Sequence, residues 1–352
     1  MKTIKLGLIG SGFVGQVAHI INYYQQKDVR LQAICELRPI LGNAVAGKYG
    51  IKNIYTDYKE MLLDTTIDAV IAVVQRAHTG PIALDVLKSQ KHLFTEKPMA
   101  QTKEKARLLV KQAKKGSLVY GVGFMRRYEP AVQYARKTIA ELKRTRRLGD
   151  ILSARLYLSA GGDYCNIDGD VKSTESKLTT KIWPSAPTWL SPSLEKDYEH
   201  FVNVCGHDIN LLRFLFDETP KVSYVEYKRN KGKCAVLQFS EFPAVFDWAD
   251  TQRPFTWEEG VEVQYQLGTL RLELPPAFLR NVPAKVTIQS DKKPLSFKYE
   301  PVFDLNWAFK SQTLAFIKAV RTNTQPLANG YDALSDYDLI DEIWGKINTS
   351  FL

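Results

Sequence analysis

Short apolar runs alternate with longer amphipathic stretches through the first 123 residues of the chain. The runs have the length of buried strands, and the stretches between them carry apolar residues at helical spacing. This alternation is typical of a parallel sheet that is covered by helices on both faces. The predicted strands are Leu6–Ile9, Leu31–Cys35, Ala69–Val74, Leu93–Thr95 and Leu118–Tyr120, and the predicted helices include Val17–Tyr24, Ile82–Ser89 and Lys103–Lys114.

The pattern changes after Gly123. A basic amphipathic helix is predicted over about residues 131–146. After it, helices no longer separate the strand-like runs. This pattern favours an antiparallel or mixed sheet, one face of which can pack on a partner. We therefore predict two domains, residues 1–123 and residues 124–352. The predicted elements of the second domain are the strands Ile151–Leu158, Val222–Tyr227, Cys234–Phe239, Val261–Leu267, Thr269–Leu274 and Val286–Gln289, and the helices Asn306–Arg321 and Asp332–Ile347. Residues 161–199 are rich in Gly, Ser and Pro, and a loop of this length is usually functional or mobile.

The composition excludes several classes of protein. No apolar run reaches the roughly 18 residues that a membrane span needs, and Lys5 interrupts the apolar start, so we expect neither a membrane anchor nor a targeting signal. The 4 cysteines form no C-x-x-C pair, which argues against a zinc ribbon and suits a reducing cytoplasm.

The net charge of the chain is +10. Much of it lies on the basic helix near residues 136–147, where we favour a solvated basic face over a surface that attracts anionic ligands. No nucleic-acid-binding module is recognisable, so we expect no nucleic-acid partner.

The first apolar run leads into Gly10, Gly12 and Gly15 at the spacing G-x-G-x-x-G, and Glu36 ends the second run. Gly10 permits a tight turn, Gly12 lets a pyrophosphate approach the backbone, and Gly15 lets the helix pack closely on the sheet. The helix N-terminus then faces the phosphates, and a carboxylate at this distance accepts hydrogen bonds from ribose hydroxyls. The alternative is a tight turn without a ligand. The pattern predicts a dinucleotide site that includes Phe13 and Val14 between the glycines.

Lys97 follows the predicted strand that ends at Thr95, in the run Thr95-Glu96-Lys97-Pro98. This position lies at the carboxyl edge of the sheet, where the nicotinamide is expected. A lysine there can hydrogen-bond a substrate hydroxyl and exchange its proton. From spacing alone, an exposed Glu–Lys pair before a turn is the stronger interpretation.

A second polar cluster follows if residues 200–216 form one helix. His200, Asn203, His207 and Asn210 then lie on one stripe, beside an apolar stripe. Such a stripe predicts a face that lines a cleft, with a histidine suited to proton transfer. The alternative is that His207 is a buried or capping histidine. Two histidines without a third ligand do not make a metal site, so we expect no metal.

Together these motifs resemble the glucose–fructose oxidoreductase / inositol dehydrogenase / rhizopine catabolism (Gfo/Idh/MocA) family. The resemblance rests on the glycine fingerprint, Glu96-Lys97-Pro98, the run Gly123–Tyr128 and the run Gly206–Arg213, and it covers nearly the whole chain. It implies an α/β fold: a Rossmann domain with a doubly wound parallel sheet, followed by an α+β domain with an open, mostly antiparallel sheet.

The resemblance also implies site residues and partners. It maps the family's lysine onto Lys97 and its histidine onto His207 as catalytic residues, with Glu96 and Lys97 beside the cofactor. It implies a nicotinamide cofactor and a homodimer or homotetramer. We expect NAD, because Glu36 would repel a 2′-phosphate, with NADP as the alternative because Arg38 could bind that phosphate. We expect Asn203, Arg127 and Tyr128 to contact substrate, although Arg127 can equally be a structural ion-pair residue. Where inositol-type members carry aspartates, this sequence has Asn203 and Asn210.

The expected activity is hydride transfer between a nicotinamide and a sugar-like alcohol or ketone, in a cytoplasmic oxidoreductase. Three observations favour an anionic or nucleotide-linked sugar as substrate. They are the basic net charge, the amide at position 203, and Arg126 and Arg127, which follow the last predicted strand of the first domain and suit phosphates and carboxylates. Two alternatives stay open. One is a glycosidase of the same family with tightly held NAD, and the other is a non-catalytic dinucleotide-binding regulator.

Overall fold

The computed structural model describes residues 3–351, except 162–164, 166, 177–182, 230, 252, 254, 255 and 295. The chain forms two compact units. The first contains residues up to Met125 together with Asp168–Trp189 and Phe309–Leu334, and the second contains Arg126–Ile167, Leu190–Ala308 and the residues from Ser335 onward. Part of the predicted loop 161–199 lies outside the described residues.

The strands are numbered in chain order. They are β1 Ile4–Ile9, β2 Val29–Cys35, β3 Asn53–Tyr55, β4 Ala69–Ala72, β5 His92–Thr95, β6 Tyr120–Val122, β7 Ile151–Ala160, β8 Lys221–Tyr227, β9 Lys233–Gln238, β10 Pro243–Asp250, β11 Trp257–Tyr265, β12 Gly268–Glu273, β13 Lys285–Ser290 and β14 Phe297–Tyr299.

The helices are numbered in the same way. They are α1 Ile21–Tyr24, α2 Pro39–Tyr49, α3 Tyr58–Leu62, α4 Arg76–Lys88, α5 Lys103–Lys115, α6 Pro130–Thr145, α7 Glu195–Val204, α8 Gly206–Phe216, α9 Ala308–Thr322, α10 Gly330–Ala333 and α11 Asp336–Phe351. A π-helical turn, Gly15–Ile20, precedes α1, and 3₁₀ turns cover Met125–Tyr128 and Pro192–Leu194.

The first sheet has six strands in the order β3-β2-β1-β4-β5-β6, and every pairing is parallel. This order is that of the doubly wound dinucleotide-binding fold, so the predicted fold class of this unit is confirmed. The strand β3 was not predicted, because three half-exposed residues carry no apolar run. Carboxyl ends of parallel strands meet at one edge, which brings the ends of β1, β2, β4 and β5 together.

The predicted division at residue 123 is incomplete, because residues 309–334 belong to the first unit. The reason lies at β6, the last strand of the sheet. Gln325 accepts a hydrogen bond from the Tyr120 backbone at 3.1 Å and donates one to the Leu118 carbonyl at 2.9 Å, while the Val122 amide donates to the Ala328 carbonyl at 3.2 Å. These bonds satisfy backbone groups that an edge strand leaves open.

The second sheet has eight strands in the order β14-β13-β12-β11-β7-β10-β9-β8. All pairings are antiparallel except that of β10 with β7, so the predicted open, mostly antiparallel sheet is confirmed. The strand β10 was not predicted, although its alternate residues Ala244, Phe246 and Trp248 are buried.

The basic helix of the sequence is α6. Its buried residues are Ala131, Val132, Ala135, Ile139 and Leu142. The cations of the opposite face, Lys137, Lys143 and Arg144, are exposed. The interpretation as a solvated basic face is therefore confirmed. Among the described helices, none has the length and apolar character that a membrane crossing requires.

Candidate active site

The turn after β1 has the geometry that a dinucleotide phosphate site requires. Gly10 has φ +85°, and a Cβ atom there would lie 2.3 Å from the Val73 carbonyl oxygen. A Cβ atom at Gly15 would lie 3.0 Å from the Gly10 carbonyl oxygen. At Gly12, by contrast, a Cβ atom would meet no described atom within 4 Å. The first and third glycines thus fit the protein, while Gly12 faces open space, as an approaching pyrophosphate requires.

Glu36 lies buried at the end of β2 and faces the same turn. Its Oε2 atom accepts hydrogen bonds from the Ser11 amide and hydroxyl, each at 2.9 Å, and its Oε1 atom accepts one from Arg38 Nε at 2.8 Å. Burial alone would raise the pKa of Glu36, but the bonds from Arg38 and Ser11 outweigh it and lower that pKa. Glu36 is therefore a fixed anion beside the glycine turn.

Arg38 is held by this carboxylate. Besides the Nε bond, its second nitrogen donates to Glu36 Oε2 at 3.1 Å, so the guanidinium group pairs with Glu36 in a two-pronged contact. The residues between the glycines differ in exposure: Phe13 is exposed and Val14 is half-buried.

The predicted lysine lies directly after β5, behind a fixed glutamate. His19 Nε2 lies 2.7 Å from Glu96 Oε1, and the His19 ring packs against Phe94 and Phe309. A Cβ atom at Gly123 would lie 2.8 Å from the Glu96 carboxyl group. The Lys97 amide in turn donates to Glu96 Oε2 at 3.2 Å. This packing fixes the backbone that carries the half-buried Lys97, so the pair is more than an exposed surface pair.

His78 is a residue of this edge that the sequence did not single out. It lies in the first turn of α4, which follows β4, and its Nε2 atom is buried without a hydrogen-bond partner among the described residues. A helix that starts at the carboxyl edge of a parallel sheet points its first turn toward a bound ligand. The position of His78 after a predicted strand could have indicated a site residue. The sequence around this single histidine has no recognisable motif, so it was not predicted.

Two helices replace the single helix predicted over residues 200–216. The helix α7 ends at Val204 and α8 begins at Gly206, because Cys205 leaves the helical path with ψ −7°. The predicted continuous polar stripe is therefore wrong. His200 is exposed and pairs with Asp250 at 2.9 Å, and hydrogen bonds from His200 and Lys233 hold the pKa of Asp250 below its usual range. Asn203 and His207 are half-buried, near the end of α7 and in the first turn of α8.

Asn210 and Arg127 belong to a buried network below α8. Arg127 Nε donates to Asn210 Oδ1 at 2.6 Å, and Asn210 Nδ2 donates to Asp336 Oδ2 at 2.8 Å. Asp336 also pairs with Arg213 at 2.5 Å, and the Arg127 guanidinium lies 4.9 Å from the centre of the Phe214 ring. Burial raises the pKa of Asp336 to about 6, against the lowering effect of both arginines. The structure thus provides the ion-pair environment that the sequence offered as one of two roles for Arg127.

Arg126 is buried as well. Its guanidinium pairs with Glu259 and donates to the Pro275 carbonyl at 2.8 Å, and it lies 3.9 Å from Glu129. Burial raises the pKa of Glu129 to about 7, although Arg126 opposes this shift. The neighbouring Tyr128 is buried too, with 6% of its surface exposed.

Residues 4–124 match the sequence model of a known family, whose description is "Oxidoreductase family, NAD-binding Rossmann fold". Over these residues the chain is similar to the NAD-binding domain of the Gfo/Idh/MocA oxidoreductases. The predicted NAD-binding Rossmann domain is confirmed by this match and by the glycine turn described above.

Curated proteins that are similar to this chain include sugar and cyclitol dehydrogenases. Levoglucosan dehydrogenase of Pseudarthrobacter phenanthrenivorans is 33% identical over 165 residues, which cover 44% of this chain and 40% of that protein. Inositol 2-dehydrogenase of Rhizobium meliloti is 27% identical over 218 residues, which cover 62% of this chain and 56% of that protein. The matches therefore span only about half the length of these relatives.

The fold of the whole chain is similar to that of solved dehydrogenase structures. A solved structure of levoglucosan dehydrogenase, in complex with NADH and levoglucosan, superposes with a TM-score of 0.76 over 98% of this chain and 97% of the other, at 17% identity. At this identity the similarity establishes the fold. Within the described residues, no group of three or more His, Cys, Asp or Glu side chains could hold a metal ion.

Proposed function

We propose that this protein is a nicotinamide-dependent oxidoreductase that transfers hydride to or from a ring carbon of a sugar-like alcohol or ketone. The observation that carries the proposal is the carboxyl edge of the first sheet. There the open backbone at Gly12, the buried carboxylate of Glu36 and the fixed segment that carries Lys97 share one edge. The names of the relatives, levoglucosan and inositol dehydrogenases, support the substrate class.

The cofactor fits these residues. The Gly10–Gly15 turn would hold the pyrophosphate and Glu36 the adenosine ribose, with Glu96, Lys97 and His78 at the nicotinamide end. A bound nicotinamide supplies a hydride acceptor or donor at C4. Lys97 would hydrogen-bond the reacting oxygen of the substrate and, with His207, take the hydroxyl proton during oxidation or return it during reduction. Asn203 would contact the substrate as a neutral hydrogen-bonding group, whereas Arg127 would support α8.

The finer proposal concerns the charge of the substrate. Arg126 and Arg127 do not support an anionic sugar, because Arg126 pairs with the buried Glu259 and Arg127 donates to the buried Asn210 side chain. What supports it is the net charge of +10 and the amide of Asn203 in place of a carboxylate. An anionic or nucleotide-linked sugar therefore stays the proposed substrate on long-range charge rather than on an arginine contact.

The direct test is a reaction screen with the purified chain. Levoglucosan, inositols, sugar acids and nucleotide sugars are supplied one at a time with NAD⁺. We expect NADH to form with at least one of these substrate classes. Absence of any absorbance change at the nicotinamide band, with added NAD⁺ and every substrate class, would contradict the dehydrogenase proposal. Two further measurements distinguish the glycosidase and the regulator from a dehydrogenase. A glycosidase of the family would release tightly held NAD when the sample is denatured. A regulator would bind added dinucleotide without turnover.

The partner that we propose is a second copy of this chain. The outward residues of the central strands of the second sheet combine a paired Arg155 and Asp247 at 2.8 Å with Tyr157 and Val245. Such a mixed face suits packing against another sheet. Light scattering should give a dimer or tetramer, and a monomer at micromolar concentration would contradict this proposal.

A further inference from the structure

A strap from the middle of the chain, residues 168–176, contacts the nucleotide-binding unit and belongs to it. The Gln16 side chain, in the turn that follows the glycines, exchanges two hydrogen bonds with the Val171 backbone, at 2.8 Å and 3.0 Å. Lys48 Nζ donates to the Gly169 carbonyl at 2.5 Å. The start of the strap is thus fixed beside the glycine turn and α2.

The strap places a carboxylate on the N-terminus of α2. Glu175 Oε1 accepts a hydrogen bond from the Ile40 amide at 3.1 Å, and Oε2 accepts one from the Leu41 amide at 3.0 Å. Ser173 Oγ donates to Oε2 at 2.7 Å and so fixes the carboxyl group. These bonds, together with the charge of Arg38, outweigh the effect of burial and lower the pKa of Glu175.

No amide at this helix start remains for another anion. Pro39 is the first residue of α2 and has no N–H group. Ile40 and Leu41 donate to Glu175, and the Gly42 amide donates to the Arg38 carbonyl at 2.8 Å. An α-helix N-terminus is otherwise a ready phosphate site.

The start of α2 lies next to the residues that contact the adenosine ribose in this fold, so the Glu175 carboxylate can affect which cofactor binds. The helix α2 begins at Pro39, directly after Arg38. Arg38 binds Glu36, the residue that faces the adenosine ribose in this fold. In enzymes that use NADP, a nearby arginine binds the 2′-phosphate of that ribose. Here Glu36 holds Arg38 and Glu175 holds the adjacent amides, so both groups that could receive the phosphate already pair with carboxylates.

We propose that Glu175 is a specificity-determining residue that excludes NADP(H) by occupying the amides of α2 with a negative charge. The inference rests on the proposed use of a nicotinamide dinucleotide. A 2′-phosphate brings nearly two negative charges, and against Glu175 it would meet repulsion and occupied donors, whereas a 2′-hydroxyl would meet neither. Exclusion by a built-in repulsive group is a general route to specificity.

Direct binding tests this proposal without any substrate. Dissociation constants for NADH and NADPH should be measured by calorimetry for the wild type, Glu175→Gln and Glu175→Ala. We expect Glu175→Ala to tighten NADPH binding by roughly tenfold or more, Glu175→Gln to tighten it less because an amide still occupies one N–H group, and NADH binding to change by less than about threefold. The exposed Glu104, in the first turn of α5, provides the matched control: Glu104→Gln removes the same charge and should change neither constant.

A second background keeps the test decisive. In Glu36→Ala, which frees Arg38, the additional change Glu175→Ala should tighten NADPH binding further, and thermal melting should confirm that each variant is folded. NADPH affinity within about twofold of the parent in both backgrounds would overturn the proposal. Tighter binding of NADPH than NADH by the wild type would overturn it as well. Failure of the wild type to bind either dinucleotide would instead reject the proposed function, and with it the premise of the inference.

Discussion

Glycine is required at residues 10 and 12 for two different reasons. At Gly10 the protein itself requires it, since φ is +85° and a side chain would meet the Val73 carbonyl. At Gly12 nothing in the described protein opposes a methyl group. Glycine therefore serves the fold at position 10, and at position 12 it leaves open the space that the proposed dinucleotide would occupy.

Alanine at these two positions should separate folding from binding. We expect Gly10→Ala to lower the free energy of unfolding by more than about 1 kcal/mol, because of the left-handed backbone and the carbonyl contact. Gly12→Ala should keep the stability within about 0.5 kcal/mol of wild type and weaken NADH binding, because the methyl group meets the pyrophosphate. Urea unfolding and calorimetry measure the two effects. Unchanged NADH affinity in Gly12→Ala would show that the pyrophosphate lies elsewhere.

Lys97 is the residue on which the proposed chemistry depends most. We expect Lys97→Ala to lower kcat by roughly 10²- to 10⁴-fold, the typical cost of losing a proton-transfer group. NADH affinity should stay close to that of wild type, because the glycine turn and Glu36 are untouched. The exposed Lys88 at the end of α4 provides a control, and Lys88→Ala should leave kcat unchanged. Near-normal kcat in Lys97→Ala would return Lys97 to the role of a surface charge.

At the scale of elements, α8 depends on charges that lie behind it. Asn210 and Arg213 project from α8 onto Asp336, and Arg127 reaches the same group through Asn210. The network fixes the helix whose first turn carries His207. The helix is interrupted at Cys205, and Asn210 of α8 is buried whereas His200 of α7 is exposed.

Removal of one charge from this network should cost stability. We expect Arg127→Met to lower the free energy of unfolding by about 1 to 3 kcal/mol, because the buried Asn210 side chain loses its hydrogen-bond donor and Asp336 loses a nearby positive charge. Urea unfolding measures the loss. If Arg127 instead contacts substrate, the variant would keep its stability and raise KM, and that outcome would contradict the structural role.

The start of α6 carries a second group whose charge depends on pH. The pKa of Glu129 is raised from 4.5 to about 7. The folded chain therefore binds more protons than the unfolded chain between these values, so this contribution to stability is full below pH 4.5 and is lost as the pH rises through 7. Each unit of pKa difference corresponds to about 1.4 kcal/mol.

Glu129→Gln should remove this pH dependence. We expect the variant to gain stability over wild type at pH 8 and to gain much less at pH 5, where Glu129 is already neutral in the folded protein. Urea unfolding at the two pH values measures the difference. An equal effect at both values would show that the Glu129 carboxyl titrates normally.

At the scale of the whole molecule, charge acts at long range rather than through the arginines near residue 126. Lys137, Lys143 and Arg144 of α6 are exposed, whereas Arg126 is buried against Glu259 and Arg127 is buried against Asn210. A net charge of +10 raises the local concentration of anions without a specific contact. Such an effect is screened by salt.

Substrate charge should therefore appear as a salt dependence. We expect kcat/KM for nucleotide sugars or sugar acids to exceed that for inositols and free hexoses at low ionic strength, and to fall as salt is added. Measurements at two ionic strengths with the same panel test this. Faster turnover of a neutral cyclitol, without salt dependence, would contradict an anionic substrate.

The sequence by itself determined the features that local patterns encode. Apolar runs, separated by amphipathic helical stretches, predicted five of the six strands of the first sheet. Such runs are expected because parallel strands are buried on both faces. The glycine spacing with Glu36 predicted the dinucleotide turn because that backbone geometry admits few other residues. The basic face of α6 followed from helical periodicity alone.

Only the tertiary structure decided which polar residues are buried together and which segments join distant partners. Helical periodicity alone could not show the break at Cys205, because the residues on both sides of it favour helix. His200 and Asn210 were therefore predicted on one helix face. In the structure His200 is exposed and pairs with Asp250, whereas Asn210 is buried and donates to Asp336. Pairing across 133 residues neutralises Arg126 with Glu259, and contact across 135 residues brings Glu175 to α2. Such contacts depend on chain topology, and the charge of a side chain does not indicate which distant partner the fold will bring to it.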